Sequence, residues 1–91
     1  MEIYEAKIIA FEDNVIDTSE QKKRYIIVSH PKGLKPLRLQ IAQLTIVNAN
    51  LKLNSKIFLH KLSKSWKVNY DKICEYYNLP RYKSQYYKKL K

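Results

Sequence analysis

Apolar and polar residues alternate in short segments through residues 2–68 of this 91-residue chain, and this pattern limits what the chain can fold into. Alternation with a period of two is typical of half-buried β-strands. The clearest segment is Leu37-Arg38-Leu39-Gln40-Ile41, which should bury its aliphatic residues and expose Arg38 and Gln40. The alternation predicts strands over residues 2–12, 37–41 and 66–68. The β-branched run Ile26-Ile27-Val28 predicts one over residues 24–29, and residues 51–53 and 56–62 are expected to be two further extended pieces.

The alternation is interrupted at two places between these strands. Acidic and polar residues around Val15 and Ile16 predict a loop after residue 12. At Ala42-Gln43 the alternation slips, and either a β-bulge or a short helix explains the slip. Gly33 is the only glycine, so the turns have to be made by Asn, Asp, Ser and Pro.

From Asn69 onwards the pattern becomes helical. Asn69 can cap a helix over residues 71–78, Asn78 can adopt the left-handed conformation that ends it, and Pro80 follows as a stop. Cys74 on its apolar side is expected to be a small buried hydrophobe. The last segment, residues 81–91, is predicted to form a second helix because apolar or aromatic residues recur every four positions.

Strands followed by helices predict a mainly β fold with a C-terminal α part. We expect a small curled antiparallel sheet or barrel, in the size range of OB and SH3-like barrels, capped by one or two C-terminal helices. Residues 1–80 would form a single β-rich domain with its C-terminal helix, and residues 81–91 a basic, tyrosine-rich tail. No motif in the chain identifies a family.

Positive charge is concentrated after residue 21. The chain has 18 Lys and Arg against 8 Asp and Glu, a net charge of +10, and six of the acids lie within residues 1–21. Residues 22–70 hold eleven bases and no acid. Such a surface favours a polyanionic partner, and nucleic acid, either RNA or DNA, is the commonest. A solvated surface, an acidic protein or anionic lipid would also account for it.

Two groups of basic residues and several rings are the candidates for such an interface. The first group, on the second and third strands and the loop between them, is Lys22, Lys23, Arg24, Lys32, Lys35 and Arg38. The second group is Lys64, Lys67, Arg81, Lys83, Lys88 and Lys89. The rings predicted to stack on bases or to form an interface are Tyr25, Trp66, Tyr82, Tyr86 and Tyr87. For Trp66, packing into the core is the alternative.

Residues able to support catalysis are few. His30 and His60 lie in separate segments, and Cys74 has no metal-ligating partner at short spacing. The acids around Glu12 and Asp13 lack the ordered spacing of a calcium loop. We therefore expect no enzymatic activity, no cofactor and no metal site, with the acids forming a solvated loop or a patch that meets a basic partner.

No apolar run approaches the roughly 20 residues that span a membrane. The first residues lack the basic and then apolar layout of a secretory signal. We therefore expect a cytoplasmic protein without a membrane partner.

Together these features predict a small basic protein that binds nucleic acid through backbone contacts and aromatic stacking, within a nucleoprotein assembly. One alternative is a non-catalytic accessory subunit of a ribosome or a DNA or RNA polymerase, held by protein–protein contacts. The other is a helix-turn-helix DNA binder that uses residues 71–90, with Asn78 at the turn. Ser84 counts against this alternative, because it falls where that motif has a buried aliphatic residue.

Removal of residues 81–91 should separate binding from folding. This segment carries five bases, three tyrosines and no acid, and eleven residues are too few for a stable lone helix. The truncated chain should keep its free energy of unfolding in urea almost unchanged and should bind nucleic acid more weakly. A truncated chain that does not fold would show that the tail belongs to the core.

Overall fold

Five strands and two short helices make up the part of the chain that the structure, a computed structural model, describes: residues 2–17 and 21–80. In chain order they are β1 (Ile3–Asp17), β2 (Lys22–Val28), β3 (Leu37–Ala42), α1 (Gln43–Asn48), β4 (Lys56–Lys61), β5 (Trp66–Val68) and α2 (Tyr70–Tyr76). The strands from β2 to β5 lie where the sequence predicts extended segments. No described helix is long and apolar enough to cross a membrane.

Strand β1 pairs with two other strands and so organises the sheet. Its residues 3–7 run antiparallel to β4, and its residues from Ile8 onwards run antiparallel to β2. With β3 beside β2 and β5 beside β4, the strand order is β3-β2-β1-β4-β5. The two ends of this order approach each other, so the sheet curls into a nearly closed barrel. The predicted small curled barrel with a C-terminal helix is confirmed.

The buried sides of the strands form one core. In β3, Leu39 and Ile41 are buried whereas Arg38 and Gln40 are exposed, as the alternation predicts. Fully burying one aliphatic side chain contributes about 1.5–3 kcal/mol relative to leaving it exposed. The fully buried aliphatic residues of the core are Ile8, Ile26, Val28, Ile41, Ile57, Leu59 and Ile73.

The acidic segment after residue 12 belongs to β1, so the predicted loop around Val15 and Ile16 is wrong. Residues 15–17 pair with residues 22–24 of β2. The pairing is irregular before that point, because residues 12–14 face the single residue Tyr25 of β2. A bulge of this kind breaks the alternation, and the acidic run therefore resembles a loop in the sequence.

The slip at Ala42-Gln43 marks the start of helix α1, so the short-helix interpretation is correct and the bulge is wrong at this position. Ala42 is the N-cap residue and makes no side-chain cap. Thr45 is buried and Ile46 packs against the core. Packing rather than capping therefore stabilises this six-residue helix.

Residues 51–53 form no strand, contrary to the prediction. The Leu51 N–H donates to the Ile46 carbonyl at 3.0 Å, so Leu51 belongs to the end of α1. Leu51 is buried, whereas Leu53 is 58% exposed. Three residues are too few for an alternating pattern to distinguish a strand from a helix end followed by a turn.

Asparagine supplies the left-handed residues that follow both helices. Asn50 follows α1 with φ of 52° and Asn78 follows α2 with φ of 58°. The N–H of Leu51, the residue after Asn50, donates to the Ile46 carbonyl at 3.0 Å. The N–H of Leu79, the residue after Asn78, donates to the Cys74 carbonyl at 2.8 Å. This is the Schellman arrangement, and it satisfies carbonyls that a helix end leaves without partners. The predicted role of Asn78 is confirmed.

Helix α2 packs on the barrel at β4. The Asn69 side chain accepts a backbone N–H from the first turn at 2.9 Å, which confirms the predicted N-cap. Ile73 is fully buried, and the Tyr77 hydroxyl donates to the Lys56 carbonyl at 2.6 Å. The predicted second helix, and with it the second half of the helix-turn-helix, lies in residues 81–91, outside the described part of the chain.

Truncation of the core should cost far more stability than truncation of the surface. Ile57→Ala should lower the free energy of unfolding by about 2–5 kcal/mol, because Ile57 is fully buried in β4. Leu53→Ala removes an exposed side chain and should change it by about 0.5 kcal/mol or less. Urea denaturation followed by circular dichroism measures both. Equal losses would contradict this position of the core.

Candidate functional site

An open groove of about 450 Å³ lies where the two ends of the curled sheet approach each other. Residues of β2 and β3 form one side, and β5 with the two residues before it forms the other. In the described sheet β3 and β5 are not hydrogen-bonded to each other, so side chains along this seam remain accessible. The lining residues are Tyr25, Leu37, Arg38, Leu39, Gln40, Lys64, Ser65, Trp66 and Lys67.

The pairing of β2 with β3 sets Tyr25 directly opposite Gln40. Side chains at directly opposed positions are close enough to interact. The Gln40 Nε2 group donates a hydrogen bond to the Tyr25 hydroxyl at 2.9 Å. This bond restrains the Tyr25 ring on its side of the groove.

Arg38 lies over Tyr25 and is held there by Glu12. Its Cζ atom is 3.6 Å from the centroid of the Tyr25 ring. Its Nε and Nη2 groups donate to the two carboxylate oxygens of Glu12 at 2.6 and 2.9 Å, a bidentate pairing. Glu12 directly follows Phe11, which pairs with Ile26, so this register sets Glu12 beside Tyr25 on the neighbouring strand.

The pairing shifts the ionisation of both groups. Hydrogen bonds from Arg38 lower the pKa of Glu12 below its ordinary value, and the positive charge of Arg38 adds to this against the effect of desolvation. The same contact raises the pKa of Arg38. The Glu12 carboxylate is therefore ionised at neutral pH and balances much of the charge of Arg38.

Trp66 is the second ring of the groove and is fixed by aromatic neighbours. It meets Tyr4 and His30 edge to face, with ring centroids 5.1 and 5.3 Å away. Lys61 Nζ lies 5.4 Å from the Trp66 ring centroid. Trp66 is half-buried: it packs against the core and also lines the groove.

Five of the residues singled out from the sequence meet in this groove. They are the basic residues Arg38, Lys64 and Lys67 and the rings Tyr25 and Trp66. The two predicted basic groups are thereby joined, because the curling of the sheet brings the third strand close to the fifth.

The other basic residues of the first group do not line the groove. Lys22 and Lys23 lie at the start of β2, and Arg24 lies on the face of β2 that carries the core residues. Lys32 and Lys35 lie in the exposed connection between β2 and β3. The remaining predicted residues lie outside the described part of the chain: Arg81, Lys83, Lys88, Lys89, Tyr82, Tyr86 and Tyr87.

Several groove residues were not selected from the sequence. Gln40 could have been selected from the sequence, because the alternation of β3 places it on the same exposed face as Arg38. Glu12, which holds Arg38, could not, because this contact depends on which strands lie side by side in the sheet, and alternation does not reveal that. The unselected lining residues are Leu37, Leu39, Gln40 and Ser65.

The histidines and the cysteine have structural contacts. His30 Nδ1 accepts the backbone N–H of Lys32 at 2.9 Å, and His60 Nδ1 lies 3.1 Å from the side-chain nitrogen of Asn69. Cys74 is buried, as expected. Across residues 2–17 and 21–80, no three His, Cys, Asp or Glu side chains gather closely enough to hold a metal ion.

Comparison of the chain with family models, curated proteins and solved structures finds no match in any of the three. The function of the groove has to follow from what its residues supply. They supply exposed cations, two rings and a side-chain amide on one open surface.

The ion pair predicts a pH dependence that can be measured on Glu12 itself. Since its pKa is lowered in the folded protein, the contact stabilises the fold at neutral pH and is lost as the pH falls through that lowered value. Arg38→Gln should raise the Glu12 pKa towards its ordinary value in an NMR titration of the carboxyl carbon. Lys72→Gln, which removes a cation paired with Glu75, is the control and should leave the Glu12 pKa unchanged.

Proposed function

We propose that the protein binds single-stranded nucleic acid in this groove, with Lys64 and Lys67 contacting phosphates and Trp66 contacting a base. The observation that carries the proposal is the meeting of exposed cations and half-buried rings along the open seam between β3 and β5. Single-strand binding surfaces combine these two elements, a basic track for the backbone and rings for the bases.

The two lysines are available for phosphate. Lys64 and Lys67 are exposed, and neither forms an ion pair with any residue that the structure describes. A phosphate that approaches them therefore displaces no carboxylate of the described residues. Each contact releases condensed counterions from the nucleic acid, which favours binding at low salt.

The position of the rings favours an unpaired strand. Trp66 is fixed between Tyr4, His30 and the core, so its accessible surface belongs to the groove wall. Bases inside a duplex are stacked on one another and cannot reach a ring in such a groove, whereas unpaired bases can. The contact needs no hydrogen bond to a base edge, so we expect little sequence selectivity.

The charge of the chain supports the same partner. Strand β1 carries four of the eight acids, and Glu12 among them is already paired with Arg38. The stretch of residues 22–70, which supplies every lining residue, has no acid at all. This excess of positive charge attracts a polyanion over distances comparable to the Debye length.

The architecture is also one on which such binding occurs. OB-fold barrels are five-stranded and partly open, and they bind oligonucleotides or oligosaccharides on strands 2 and 3 and at the loop between strands 4 and 5. The groove described above lies on β2 and β3 and includes Lys64 and Ser65 between β4 and β5. A fold alone does not define a function, so this likeness supports the proposal only together with the groove residues.

Binding should depend on salt through Lys64 and Lys67. For a single strand, log K should fall with log salt by about 0.7 per phosphate contacted, so about five contacts give a slope near −3.5. In the double variant Lys64→Gln, Lys67→Gln, the slope of log K against log salt should be less negative by about 1.4. Fluorescence anisotropy with labelled single-stranded RNA and DNA measures both slopes. Quenching of the Trp66 fluorescence on binding shows that the strand lies in the groove.

The matched control is Lys7→Gln, Lys52→Gln, which removes two exposed lysines that do not line the groove. It should leave the slope nearly unchanged. Affinity that is independent of salt, or equal slopes for the two double variants, would refute the proposal. Recovery of a stoichiometric protein partner at high salt, with no affinity for nucleic acid, would favour the accessory-subunit alternative.

A further inference from the structure

We infer that Arg38 presents the flat face of its guanidinium group to a base and does not contact phosphate. With the Tyr25 ring beneath it, Arg38 forms a two-layer stacking platform on one wall of the groove. The inference rests on the proposed function, and it gives Arg38 a different role from the phosphate contact that the sequence predicts.

The guanidinium group lies flat on the ring. Its central carbon Cζ is 3.6 Å from the centroid of the Tyr25 ring. This is already the contact distance between two carbon atoms, so no guanidinium nitrogen can lie between Cζ and the ring. If Cζ lay at the edge of the ring, in the ring plane, the ring atoms would keep it further than this from the centroid. Cζ therefore lies over the ring face, with the guanidinium plane along it.

One of the two edges through which Arg38 could hold a phosphate by two hydrogen bonds is already occupied. The Nε and Nη2 groups form the side edge of the guanidinium fork, and both donate to the Glu12 carboxylate. Arginine holds phosphate through the same bidentate geometry that it uses here for the carboxylate. A phosphate at this edge would have to displace Glu12 and leave its carboxylate without this partner. Lys64 and Lys67 present no such obstacle.

The outer face of Arg38 is open to the groove. The side chain remains 55% exposed although Tyr25 covers one face and Glu12 one edge. Gln40 holds the Tyr25 hydroxyl at 2.9 Å, which restrains the lower layer of the platform. Both layers are thus oriented before a ligand arrives, so less conformational entropy is lost on binding.

A planar heterocycle is the group that fits such a surface. Guanidinium planes and aromatic rings are the surfaces on which proteins stack unpaired bases. Lysine has the same charge but no plane, so it cannot replace arginine in this contact. The platform and the Trp66 ring lie on opposite sides of one groove, so a strand within it has a stacking surface on each side.

The test compares the native protein with Arg38→Lys on two labelled strands of equal length. One is oligodeoxyadenylate, and the other carries an abasic tetrahydrofuran site in place of every base. Arg38→Lys should weaken binding to oligodeoxyadenylate about fivefold or more, because a base stack is lost. It should change binding to the abasic strand by about twofold or less, and it should leave the salt slope unchanged because the charge is kept.

A contact with phosphate gives a different result. Arg38→Lys would then lose little affinity for either strand, or would lose the same affinity for both. Either outcome overturns the inference. Lys52→Arg is the matched control and should keep its affinity for both strands, because Lys52 is exposed and does not line the groove. Thermal unfolding confirms that each variant is folded. If the native protein binds neither strand at low salt, the proposed function fails as well.

Discussion

The pairing of β1 with both β2 and β4 is the constraint on which the rest of the structure depends. One 15-residue strand contributes its beginning to one half of the sheet and its remainder to the other. Two irregularities in its pairing with β2 allow the strand to bend and twist more strongly than a regular strand. The sheet therefore curls, its inner sides meet in one core, and β3 comes to lie near β5.

The groove is a direct consequence of this incomplete closure. A fully hydrogen-bonded barrel would align β3 and β5 in a ladder, whereas here the two strands approach without pairing in the described sheet. Residues 37–40 and residues 64–67, far apart in the chain, thereby share one surface. Three cations on that surface repel one another, and the Glu12 carboxylate on Arg38 reduces this repulsion.

Much of the fold could be predicted because its signals are local. Strands β2 to β5 follow from alternation or from short apolar runs, and helix α2 follows from Asn69 at its start and Asn78 at its end. The predictions failed where the local pattern is ambiguous: the acidic part of β1 and the three-residue stretch at 51–53. Five of the proposed site residues meet in one groove, but nothing in the sequence set them apart from the other basic and aromatic candidates.

The sequence by itself determined which residues face inwards along β3, where the C-terminal helix begins and ends, and that the chain carries a large positive charge. These properties depend on neighbours a few positions apart, because strand and helix periods and capping bonds act over that range. Only the tertiary structure decided that Arg38 meets Lys64 and Lys67, that Glu12 pairs with Arg38, and that Trp66 is shared by core and groove. These contacts depend on which strands lie side by side and on the closure of the sheet. Both bring together residues that are too far apart in sequence for a periodic pattern to relate them.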